Sequence, residues 1–78
     1  MKENYRKRIV INPEIHLGKP SIAGTRIPVE NVLELIQEGI HFDDIIAKYY
    51  PDLNIEDIKA CAHYATDLVR SEEIFIRA

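Results

Sequence analysis

A mainly helical fold, with three helices standing behind a short β element, is what this 78-residue sequence predicts. Three observations predict it. From Pro28 to Arg70 the apolar residues recur at helical spacing, whereas the stretch before Pro28 is made of short β-branched runs cut by glycine and proline. Only "PDLN" separates the second helical pattern from the third, and so short a corner crosses two helices steeply, as in a helix-turn-helix. No linker or repeat divides the chain, so residues 1–78 are read as one domain.

The β element is expected over residues 8–27. "RIVI" at 8–11 is a β-branched run closed by "NP", and "PSI" opens a second extended piece at Pro20, where the ring fixes φ and removes a donor. The two are candidates to pair. Between and after them, "GKPSIAGTRIPV" reads as two turns holding the apolar anchors Ile22, Ile27 and Val29. Gly18 allows a sharp bend before Lys19 and Pro20, and Gly24 stands in "IAGT" where the third residue of a type II turn needs positive φ, ahead of Thr25.

Helix one is expected over 28–39. Val29, Val32, Leu33, Ile36 and Ile40 share a face, Pro28 suits the first helical position, and Gly39 suits the stop. Phe42, Ile45, Ile46 and Tyr49 predict a short second helix over 42–50, ended by the proline of "YYPDL". Asn54 with Asp57 three residues on is an N-terminal cap for the longest helix, 54–70, whose apolar face runs through Ile55, Ile58, Cys61, Ala62, Ala65, Leu68 and Val69. In the tail, 71–78, "SEEIFIRA" alternates, Ile74 and Ile76 facing one way and Phe75 and Arg77 the other, and reads as a candidate C-terminal edge strand, of the kind that accepts partners.

Charge is divided along the chain. Residues 1–26 hold Lys2, Arg6, Lys7, Arg8, Lys19 and Arg26 against Glu3 and Glu14, while residues 27–78 hold four cations against eleven carboxylates, for a net charge of -3. A basic arm on an acidic body points to an electrostatic partner. Arg6, Lys7, Arg8, Lys19 and Arg26 are therefore the candidate nucleic-acid contacts, with an ion pair to a carboxylate such as Glu30 as the competing role for Arg26 and solvent for Lys19. The third helix is a poor groove reader, because its outward residues Glu56, Asp57, Lys59, His63, Asp67 and Arg70 are an acidic mixture that phosphates repel.

Several chemistries are set aside. "GKPS" lacks the upstream glycine of a phosphate loop, and Pro20 removes an amide that the cradle needs. Cys61 and His63 are two apart and point to different sides of a helix, and His16 and His41 have no clustered ligands, so no metal or other cofactor is expected. No nucleophile stands beside a plausible base, so no enzyme is expected either. The single cysteine precludes an internal disulfide, and no apolar run comes after the charged N-terminus, so neither a signal peptide nor a membrane span is expected and the cytoplasm is the expected compartment. A core this small contributes only about 3 to 5 kcal/mol, so a homodimer or another partner is expected.

The order "INPEI…GKPSIAGTRIPVENVLELIQEGIHFDDIIAKYYPDLNIEDIKACAHYA", over about residues 8–70, resembles the bacterial and archaeal domain-of-unknown-function family four-three-three. "GKP", "GTRIPV", the glycine ending helix one, "YPDL" and "EDI" with "YA" carry the likeness. The resemblance implies a homeodomain-like helix-turn-helix with a small β element in front. It also implies an antitoxin that binds and neutralises a PIN-like ribonuclease toxin and autoregulates its own promoter DNA. In that picture Ile74, Phe75 and Ile76 are the candidate partner-binding anchor, with closure of a homodimer or packing on their own core as the competing roles. The alternative is a dimeric protein-interaction module that binds no nucleic acid, which the acidic third helix favours.

Overall fold

The structure is a computed structural model that describes residues 7–76, with the backbone alone for His16 and 72–76. Two short strands, β1 (Ile9–Ile11) and β2 (Pro20–Ile22), precede three helices: α1 (Val29–Gln37), α2 (Phe42–Asp44), which runs on as a π-helical turn over Ile45–Tyr49, and α3 (Ile55–Ile76). The strands pair antiparallel, Ile9 opposite Ile22, Val10 opposite Ser21 and Ile11 opposite Pro20. Ser21 also bridges Pro28, so β2 is flanked on both sides.

The corner after β2 closes as the turn chemistry requires. Gly24 has φ +79, and the Thr25 N–H donates to the Ile22 carbonyl at 3.0 Å. The Thr25 hydroxyl donates to the same carbonyl at 2.7 Å and accepts from the Ile27 N–H at 3.0 Å. The Ile22 N–H donates to the Ile27 carbonyl, which folds 22–27 back on itself and delivers Ile27 and Val29 to the core. A β-carbon on Gly24 would meet open space, so the cost of a side chain there is conformational only. Gly24→Val should therefore lower stability by about 2 kcal/mol, and Gly24→Asn by much less, as read by urea melts.

α1 starts one residue later than its proline suggests. Pro28, at φ -70 and ψ 144, is the extended residue ahead of the helix and not its first member. Its backbone pairs with Ser21 in an antiparallel bridge, which keeps it extended. The other end is a Schellman stop: Gly39 has φ +87, its N–H donates to the Ile36 carbonyl, and the Ile40 N–H reaches back to Leu35. The second helix widens before it ends, with the Tyr50 N–H donating to the Ile45 carbonyl at 2.8 Å. Pro51 then forces Tyr50 out of helical space, and the Leu53 N–H closes the turn on the Tyr50 carbonyl.

Asn54 and Asp57 cap α3 reciprocally. The Asp57 N–H donates to the Asn54 Oδ1 at 2.9 Å, and the Asn54 N–H donates to the Asp57 Oδ2 at 3.1 Å. The helix then runs to Ile76, so the expected end near Arg70 and the edge strand expected in the tail are both replaced by helix. The reason lies in the residues beyond Asn54: neither proline nor glycine interrupts the chain, "RSEE" is made largely of good helix formers, and propagating an existing helix costs little. Alternation over five residues is too short a pattern to outweigh that.

The core lies between β2, α1 and α3, with Ile22, Val32, Ile45, Ile58 and Cys61 fully buried and Val29, Leu53 and Ala60 nearly so. Ser21, the buried polar residue among them, donates its hydroxyl to the Lys19 carbonyl. Burial pushes the Cys61 thiol up to about 12, and the nearby Asp57 carboxylate adds to the shift. The folded chain thus keeps its thiol proton above pH 9, where the unfolded chain releases it, and folding stability falls as pH rises from about 9 towards 12. Cys61→Ala should flatten that alkaline fall in the unfolding midpoint relative to the unmodified chain.

Candidate functional site

Part of the expected basic patch is paired within the chain. Arg8, leading into β1, reaches across to α3, where its Nη1 donates to the Asp57 Oδ1 at 3.1 Å with both side chains mostly covered. One carboxylate therefore caps a helix with one oxygen and clamps the β element to that helix with the other. The Lys19 Nζ lies 3.4 Å from Glu30 on α1, both more than half exposed. Lys19 thus stands largely in solvent with a carboxylate beside it. Lys7 and Arg26 are exposed, and Arg6 lies outside the described residues. Arg8 and Lys19 thus face carboxylates of the same chain.

Gly18, Pro20, Gly24 and Thr25 belong to the turns around β2, and their geometry is structural: two bends and a strand start, delivering apolar side chains downward. At the start of α3, Glu56 and Lys59 pair at 3.8 Å, and further along His63 lies 4.0 Å from Asp67. Among the described residues no three histidine, cysteine, aspartate or glutamate side chains come together to hold a metal ion. No described helix is long and apolar enough to cross a membrane.

A different face stands out. The apolar stripe that buries Ile58 and Cys61 continues along α3 through Ala65 to Leu68 and Val69, but the body of the protein stops covering it. Leu68 is 50% exposed and Val69 64%. At that edge a groove of about 380 Å³ opens between the helices, floored by Pro20, Val29 and Leu33 on one side and Tyr64, Ala65 and Leu68 on the other. Sequence periodicity places Leu68 and Val69 on the right side of the helix, yet it carries no information on whether anything packs against them. The partner-binding candidates Ile74, Phe75 and Ile76 lie further along the same helix, and their side chains are outside the described residues.

The comparisons with known proteins bear on the body more than on this overhang. The model of the family described as "Protein of unknown function (DUF433)" matches residues 9–65, ending where the cover over α3 ends. A crystal structure of a DUF433 member protein from Anabaena variabilis ATCC 29413 is 31% identical, with a TM-score of 0.72 over 91% of this chain and 69% of that one. No curated protein matches the sequence. With most of its length inside the family model and a relative of the same fold at this identity, the chain belongs to the DUF433 family.

Proposed function

We propose that the chain is an antitoxin-like binding module of the cytoplasm, without catalytic activity of its own, that neutralises a PIN-like ribonuclease by holding it on the α1–α3 groove and the uncovered face of α3. The observation that carries the reading is the apolar stripe of α3 running past the end of the body, with Leu68 and Val69 in solvent. Exposed apolar surface continuous with a groove is costly in a free chain and is characteristic of surfaces that meet another protein. The choice of a ribonuclease as that protein rests on the family resemblance.

Promoter binding draws less support, because Arg8 and Lys19 are directed at Asp57 and Glu30, and α3 opens with Glu56 and Asp57. Those pairings favour an interaction module that leaves nucleic acid alone. The test is to purify this chain with a PIN-like ribonuclease encoded beside it and follow cleavage of a labelled RNA. Inhibition that saturates at a fixed stoichiometry is expected; cleavage unchanged by an excess of the chain would end the reading.

A further inference from the structure

β1 has one side that the rest of the described chain leaves unpaired. The Ala23 N–H donates to the Arg8 carbonyl at 2.8 Å, and the Ile22 N–H donates to the Ile27 carbonyl, away from β1. In the register of the two strands, Val10 therefore exchanges its backbone bonds with Ser21, whereas the N–H and C=O groups of Ile9 and Ile11 point to the outer side of the sheet. Pro20, opposite Ile11, has no N–H to offer and fits the same pattern. No third strand pairs on that outer side among the described residues. Edge strands are ordinarily blunted by lysine, proline or a bulge, yet Ile9–Ile11 carries neither residue and pairs with β2 in unbroken register. Val10 and Ile11 are exposed as well, Ile11 by 61%.

We propose that this edge pairs with β1 of a second copy of the chain, antiparallel about a two-fold axis at Val10. In that register Ile9 of each copy stands opposite Ile11 of the other, and every outward N–H and C=O of the two strands finds a partner. The two Val10 side chains meet across the axis. Exposed Ile11 comes beside the other copy's Ile9, whose side chain already belongs to that copy's core, so the two cores are extended towards each other. Charge selects the same arrangement: Lys7 precedes the strand and Glu14 follows it, both exposed, and an antiparallel copy lays each Lys7 against the 13–14 turn of the other. A parallel strand would set Lys7 on Lys7. The contact also closes on itself, because the joint sheet has a β2 at each flank and the outer side of β2 is taken by the Pro28 bridge. Growth therefore stops at two. The pairing is independent of what the α1–α3 groove holds.

Sedimentation of the full chain over a concentration series should show a monomer–dimer equilibrium. Ile11→Pro removes an outward N–H and no bond to β2, and Val10→Lys sets like charges on the axis; each should raise the dimer Kd about tenfold or more, with circular dichroism reporting that the fold is kept. Lys7→Glu should weaken the dimer several-fold, and adding Glu14→Lys should recover it. Leu68→Glu should leave it unchanged. Register is read by cross-linking with diamide, since native Cys61 is buried. Val10→Cys brings two thiols onto the axis, with Cα atoms about 4.5 Å apart, and should give a covalent dimer. Asn12→Cys places them about 14 Å apart and should not. A wild-type chain that stays monomeric at every concentration would overturn the proposal. So would a dimer that survives both Ile11→Pro and Val10→Lys, one that Leu68→Glu splits, or cross-linking of Asn12→Cys as fast as Val10→Cys.

Discussion

Ile58→Ala should leave much of the chain unfolded at room temperature. Ile58 is fully buried one turn into α3, in the same cluster as Ile22, Val32 and Ile45. Removing its outer carbons loses their transfer free energy and leaves a cavity, together about 2 to 5 kcal/mol. A single domain of this size has only about 3 to 5 kcal/mol in all, so the loss consumes most of it. Urea titration followed by circular dichroism should show the folded baseline shortened or gone. A loss under about 1 kcal/mol would mean that the site collapses around the smaller side chain, and that α3 is held mainly by something other than this cluster.

Asp57→Ala comes next in size, because one carboxylate does two jobs. It loses the reciprocal cap with Asn54, about 1 kcal/mol, and it removes the Asp57 acceptor of Arg8, about 1.5 to 3 kcal/mol less what water and the other contacts of the partly exposed guanidinium recover. A net loss of about 2 to 3 kcal/mol is expected. Asp57→Asn should fall between the two, since its single oxygen can serve the cap or Arg8 but not both. A double-mutant cycle of Arg8→Met with Asp57→Asn isolates the clamp, with a coupling of about 1 kcal/mol expected. Zero coupling would mean that the β element stays on α3 through Ile9 and Ile22 alone.

Much of this fold is legible in the sequence because its signals are local. The i, i+3, i+4 spacing from Val29, the Gly39 stop, the proline exit at Tyr50 and the Asn54–Asp57 cap each act within a turn or two, and each stands where the pattern puts it. The tail shows the limit. The period-two reading, with Ile74 and Ile76 on one face and Phe75 and Arg77 on the other, spans only a few residues, and a helix already nucleated at Asn54 decides the backbone there from about twenty residues away.

The site is less legible, for the same reason. That Arg8 would turn to Asp57 depends on a contact across 49 residues, which no local spacing encodes. A cation in a basic run reads as surface until its carboxylate is seen. Leu68 and Val69 illustrate the converse: their periodicity is indistinguishable from that of Ile58 and Cys61, and only the extent of the body separates buried from bare.

The most direct measurement is hydrogen exchange of the full chain alone and with the proposed PIN-like ribonuclease added. Amides along 64–70 of α3 and over 29–33 of α1 should gain protection on binding, with the 23–27 turn unchanged. Protection gained at the corner and at Lys7, with α3 exchanging as in the free chain, would contradict the assignment of the helical face as the surface that meets its partner.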